Sequence, residues 1–145
     1  MRNLIDNPKA ITIIENVCVV ELEKVKGAIN AAIDFYLCRD PFIPINATQA
    51  GNIYFLRKLL DSLRWESSRL YLTKNKGAVF CHIPDNDQGW VTALHDSLEA
   101  TIDDVSDSFD YFEDPVLHNR TSLLRVLMVS LNKNLKDPRR YRHAS

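Results

Sequence analysis

The chain has 145 residues, 46% of them apolar and 26% charged, with a formal net charge of −1 at pH 7. This composition is typical of one compact domain and excludes a disordered segment, which would be poorer in large apolar residues. It also excludes a repeat array, because no segment of about 20 to 50 residues recurs along the chain.

The first predicted element is a helix over 10–38. Its apolar residues recur at spacings of three and four, as on one helix face: Ile11, Ile14, Cys18, Leu22, Val25, Ile29, Ala32 and Tyr36. The first half, 11–20, is rich in β-branched residues and is alternatively a strand, and Gly27 is alternatively a break in the helix. We favour the continuous helix.

A second helix is predicted after the proline-containing connector 39–45. Asn46 and Gln49 have the spacing of a capping box, which is typical of a helix start. The helical stripe that follows consists of Ile53, Leu56, Leu59, Leu60 and Leu63. We expect this helix to end near Trp65.

A β-hairpin is predicted over 69–83, where the apolar period changes to two. The apolar positions are Leu70 and Leu72 on one strand and Val79, Cys81 and Ile83 on the other. Between the strands, residues 74–77 are of the types found in tight turns.

Two further helices are predicted, over 90–109 and 121–135. The second has Val126 and Val129 on one side and a main apolar face made of Leu123, Leu124, Leu127, Met128, Leu131 and Leu135. A helix that is apolar nearly all round is expected to be central in the fold or to contact a partner, which includes a second copy of the chain.

We therefore predict a mostly helical α+β fold in the order helix, helix, β-hairpin, helix, helix. The whole chain, 1–145, is expected to be a single globular domain, and 139–145 is a short basic tail.

The charge of the chain is unevenly distributed. Residues 77–119 contain ten Asp or Glu and no Lys or Arg, whereas the rest of the chain carries a net charge of +9. Six of these acids recur at spacings of three and four, namely Asp96, Glu99, Asp103, Asp107, Asp110 and Asp114. If the third helix extends through all of them, they form one acidic stripe opposite its core face.

This stripe leads to the functional prediction of a non-catalytic protein-binding module that docks a cationic partner. Immunity proteins, antitoxins and secretion chaperones use acidic surfaces in this way, because complementary potentials accelerate association and suppress wrong partners. Two plainer interpretations remain open. The stripe is alternatively a solvated face, or it pairs within the molecule with Arg139, Arg140 and Arg142.

The second functional class is a nucleic-acid-associated regulator. Its binding residues would be Arg139, Arg140 and Arg142, which flank Tyr141, so that the tail combines charge with an aromatic ring for stacking. Nucleic acid is the less favoured partner, because the sequence pI is about 6.4 and the acidic centre repels phosphate.

The third class is an enzyme with a Cys/His or His/carboxylate site. Cys81 adjoins His82, but neighbours on a strand point to opposite faces, so Cys81 is expected to be a small core residue. His95 and Glu99 have helical i, i+4 spacing without a supporting metal motif. We expect no catalytic residues, no metal and no cofactor.

The expected location is the cytoplasm. The N-terminal residues lack the apolar core of a secretory signal, and the three cysteines lack C-x-x-C spacing. The apolar windows 11–20 and 123–131 are shorter than the roughly 20 residues that span a bilayer, so no membrane partner is expected.

Overall fold

A computed structural model of the chain describes residues 10–37, 44–67, 76–83, 88–107 and 114–136. Within these ranges it contains four α-helices and a three-stranded antiparallel sheet, which confirms the mostly helical α+β fold. The elements are β1 (Ala10–Val17), α1 (Val20–Leu37), α2 (Ala47–Ser62), β2 (Leu63–Ser67), β3 (Gly77–His82), α3 (Gln88–Ser106) and α4 (Pro115–Lys136).

The sheet has the order β1-β3-β2, so β3 is central and pairs antiparallel with both neighbours. Cys81 lies in register with Ile11 on one side and with Leu63 on the other, and all three side chains are buried in the core. At the start of β3, Gly77 leaves no room for a side chain, because a Cβ there would collide with the carbonyl oxygen of Glu66. Close approach of two strands therefore requires glycine at this position.

The prediction of helix over the first residues of 10–38 is wrong, because Ala10–Val17 is strand β1. Its β-branched residues favour the extended chain, and pairing with β3 satisfies the backbone groups. The register shifts at Ile13 and again at Asn16, whose φ of 55° is a left-handed value that asparagine tolerates better than most residues. These bulges interrupt the alternation expected of a strand, which explains why the apolar residues of this segment have the spacing of a helix face. Gly27 lies inside the continuous helix α1 and does not break it.

The second predicted helix is confirmed, including the capping box of Asn46 and Gln49, but it ends three residues early. Leu63 adopts the extended backbone (φ −82°, ψ 137°) and begins β2, so helix and strand follow each other without a connector. Arg64 stabilises this junction, since its guanidinium donates to the carbonyls of Asp61 and Leu63 at 2.6 and 2.7 Å.

The predicted pairing of two consecutive antiparallel strands is confirmed, although the first strand lies earlier than expected. It is β2, at Leu63–Ser67, and it pairs with β3 so that Ser67 faces Gly77. Leu70 and Leu72, together with residues 74 and 75 of the predicted turn, lie outside the described residues.

Only one side of helix α4 is buried by the described residues. Leu124, Leu127 and Leu131 are buried in the common core, as predicted. By contrast, Val126 and Val129 are 40% and 47% exposed, so the described residues leave the second apolar side of this helix uncovered. The position of Leu135 in the core was also predicted, but that side chain lies outside the description.

Candidate functional site

The acidic residues of α3 project away from the core. The opposite side of the helix buries its apolar stripe, which comprises Val91, Leu94, Leu98, Ile102 and Val105. Asp96, Glu99 and Asp103 are exposed. The amphipathic pattern thus holds as predicted along this helix, with acids as its outward residues.

The predicted continuation of the stripe to Asp114 is wrong, because α3 ends at Ser106. Asp107 still belongs to the stripe, since its backbone N–H donates to the carbonyl of Asp103 at 3.0 Å and continues the last turn. Asp114 instead directly precedes α4, where its carboxylate accepts a 2.9 Å hydrogen bond from the backbone N–H of Val116. A carboxylate there acts as a helix cap. Asp110 lies outside the described residues.

We define the acidic face as Asp96, Glu99, Asp103 and Asp107. Asp96 lies 3.1 Å from the Nδ1 atom of its neighbour His95. Among the described residues, no Lys or Arg nitrogen lies within 4.0 Å of any of these four carboxylates. The negative charge of this face is therefore unneutralised by the part of the chain that the structure shows.

The basic tail falls outside that part of the chain. Two predictions about Arg139, Arg140 and Arg142 are therefore not tested by the structure. One is pairing with the acidic face, and the other is contact with nucleic acid.

The fourth acid of α3, Asp104, was missed as a distinct residue by the sequence reasoning. Its carboxylate accepts a 2.6 Å hydrogen bond from the hydroxyl of Tyr36, which also accepts one of 3.2 Å from Asn52. The hydroxyl of Thr101 lies 3.4 Å away. Desolvation by burial, followed by the hydrogen bond to Asp104, raises the pKa of Tyr36 to about 12. This cluster joins α1, α2 and α3 through polar contacts.

A signal for this cluster was available in the sequence. Tyr36 lies on the predicted core face of α1, and a buried tyrosine hydroxyl requires a polar partner. Asp104 directly follows Asp103 of the acidic stripe. It lies three residues after Thr101, which places it on the inward edge of the helix.

Cys81 and the adjacent His82 lie on opposite sides of β3. Cys81 is fully buried and burial raises its pKa to about 12, whereas His82 is exposed on the opposite side of the strand. Cys81 is thus a core residue, as its period in the sequence predicts. No group of three or more His, Cys, Asp or Glu side chains that could hold a metal occurs in the described part of the chain.

A shallow groove of about 340 Å³ lies between α4 and β1. It is lined by Ile13, Arg125, Val126, Val129, Ser130 and Lys133. Ser130 closes one side by donating a 3.2 Å hydrogen bond to the carbonyl of Ile13. We call this the α4 groove; its floor is apolar and its charged side chains are both cations.

Comparisons with protein-family models, curated proteins and solved structures found no match for this chain. None of the described helices is both long enough and apolar enough to cross a membrane.

Proposed function

We propose that this protein is a non-catalytic binding module, of the immunity, antitoxin or chaperone-like kind, whose acidic face docks a cationic protein partner. One observation carries the proposal: four exposed carboxylates share one side of α3 and its last turn, with no lysine or arginine nitrogen within 4.0 Å in the described residues. A cytoplasmic location fits this role and remains part of the proposal.

The acidic face destabilises the helix that carries it. Glu99 with Asp103, and Asp103 with Asp107, are like-charged pairs at i, i+4 spacing, each costing about 0.2 to 0.5 kcal/mol in an isolated helix. Asp103 also lies in the last turn of α3 and Asp107 directly follows it, where the negative end of the helix dipole disfavours carboxylates, and the first turn contains no acid. A cationic partner offsets both effects, which supports a docking role over a passive surface.

The electrostatic character of the face also determines how it would act. Exposed carboxylates contribute mainly to the association rate and to partner choice, and salt screens them over about 8 Å at physiological ionic strength. We therefore expect fast, salt-sensitive binding to a basic protein surface.

The test is a triple charge reversal, Glu99→Lys, Asp103→Lys and Asp107→Lys, in affinity capture from the native cell. We expect the variant to lose the proteins that the parent retains. A matched control reverses three exposed acids on other helices, Glu23, Asp34 and Asp61, and should retain them. If the acidic-face variant captures the same proteins as the parent, the proposal is wrong.

A further inference from the structure

The two C-terminal helices carry opposite charges. Helix α3 contains four acids and no base, whereas α4 contains four bases and no acid. They are neighbours in the fold, since the guanidinium of Arg125 donates a 3.4 Å hydrogen bond to the hydroxyl of Ser106. Among the described residues no acid of α3 forms an ion pair with a base of α4, so the exposed carboxylates of α3 and the two cations of the groove, Arg125 and Lys133, are not paired with each other.

The acidic face and the α4 groove adjoin each other at the last turn of α3. Arg125 marks the boundary, because it lines the groove and contacts the last residue of α3. From there the exposed side of α4 presents Val129 and Val126 and reaches β1 at Ser130. One half of this surface is therefore acidic, and the other half is apolar with cationic side chains.

We propose that a second copy of the chain covers this surface in a two-fold dimer, with the α4 groove of each protomer against the acidic face of the other. The inference rests on the proposed function in giving the acidic face a docking role, and it names the cationic partner. A two-fold interface must be self-complementary, and a surface with one acidic and one basic half satisfies this condition when rotated onto itself.

The spacing of the charges fits this arrangement. Arg125 and Lys133 are eight residues apart, as are Glu99 and Asp107, and eight residues of helix span about 12 Å. Two cations of one protomer thus match two anions of the other.

The apolar parts of the surface also fit. Ala93 and Ala100 are half-buried on α3, and in the dimer the two exposed valines of α4 would pack against their small side chains. Each protomer would remove Val126 and Val129 from water, which explains the second apolar side of this helix.

The experiment is sedimentation velocity and light scattering of the purified full chain. We expect the mass to rise with concentration to twice 16.7 kDa, and the dimer to weaken as salt increases. Arg125→Glu with Lys133→Glu should give a monomer, and so should Glu99→Lys with Asp107→Lys. Combining all four reversals should restore the dimer.

A second variant pair tests the apolar contact. Val126→Asp should dissociate the dimer, whereas Val116→Asp should not, because Val116 is 51% exposed on the same helix but does not line the groove. Circular dichroism of each variant checks that the fold is retained.

Three results would overturn the dimer: a monomeric parent at concentrations up to about a millimolar, a dimer insensitive to either double reversal, or no rescue by the combined variant. The proposed function is tested in a separate experiment, the affinity capture described above. A monomeric parent whose captured proteins are lost on acidic-face reversal refutes the dimer alone. A dimer that captures the same proteins with and without that reversal refutes only docking of other proteins.

Discussion

The hydroxyl of Tyr36 on α1 lies 2.6 Å from the carboxylate of Asp104 on α3, although the two residues are 68 positions apart in sequence. This hydrogen bond joins two helices inside a core that is mostly apolar. Since Tyr36 is completely buried, Asp104 lies on the inward edge of α3, whereas the remaining acids of that helix are exposed.

We expect Tyr36→Phe to lower the free energy of unfolding by about 1 to 3 kcal/mol, because it leaves the carboxylate of Asp104 and the amide of Asn52 without their partner. Urea denaturation monitored by circular dichroism measures this change. Tyr54→Phe is the control, since Tyr54 is 54% exposed and its change should stay below about 0.5 kcal/mol. Equal stability of the two variants would show that the cluster contributes nothing.

Alkaline pH should lower the free energy of unfolding, because the thiol of Cys81 and the hydroxyl of Tyr36 are buried in their protonated forms. The pKa of Cys81 is raised from 9.0 to about 12 and that of Tyr36 from 10.0 to about 12, so the unfolded chain loses both protons at lower pH than the folded one. The contribution of these two groups to the free energy of unfolding is therefore fully present below pH 9 and is lost as pH rises to 12. In Cys81→Ala the fall should begin near pH 10 instead. An unchanged onset would contradict the buried thiol.

Thiol labelling gives a kinetic test of the same burial. A thiol reagent should modify Cys18, which is half-buried, faster than Cys81, which is fully buried. Mass spectrometry of the labelled peptides distinguishes the two positions. Labelling of Cys81 should accelerate in urea as the protein unfolds; fast labelling in buffer would instead support a reactive cysteine.

The two sides of α4 should respond differently to truncation. Leu127 is completely buried, so Leu127→Ala is expected to lower the free energy of unfolding by about 2 to 5 kcal/mol. Val126→Ala, on the exposed side, should change it by less than about 0.5 kcal/mol. Both values are measured by urea denaturation at a concentration low enough to keep the chain monomeric. A small effect at Leu127 would refute the core position of this helix.

Period and residue type correctly predicted the helices and the antiparallel pairing, because most apolar residues lie on a single buried face. The failures have local causes. The bulges at Ile13 and Asn16 break the alternation of β1 and imitate a helical period. Leu63 is buried in the sheet as it would have been in the helix, so its apolar character did not mark the boundary. Such boundaries depend on backbone pairing with distant strands, which a local pattern does not contain.

The candidate site was also predictable only in part from the sequence. Charge counting found the acidic face, since exposure of charged side chains follows from the cost of burying them. It did not separate Asp104 from its neighbours, because the partner that binds it lies on another helix. Nor did it show that α3 ends at Ser106 and leaves Asp114 to cap α4.

The adjacent residues Asp103 and Asp104 should respond oppositely to loss of charge. Asp103 is exposed near the negative end of the helix dipole and forms like-charged pairs with Glu99 and Asp107, so Asp103→Asn should raise the free energy of unfolding by about 0.3 to 1 kcal/mol. Asp104→Asn should lower it, because a neutral amide accepts the hydrogen bond of Tyr36 less strongly than a carboxylate does.

Urea denaturation at low and high salt measures both changes. The gain at Asp103 should shrink with salt, which screens exposed charges, whereas more of the loss at Asp104 should persist because the contact with Tyr36 is partly buried. A destabilising effect of Asp103→Asn would mean that this residue is engaged within the molecule, as the interpretation of pairing with the basic tail requires. A stabilised Asp103→Asn variant that also associates more slowly with its partner would show that the residue serves binding at a cost to the fold.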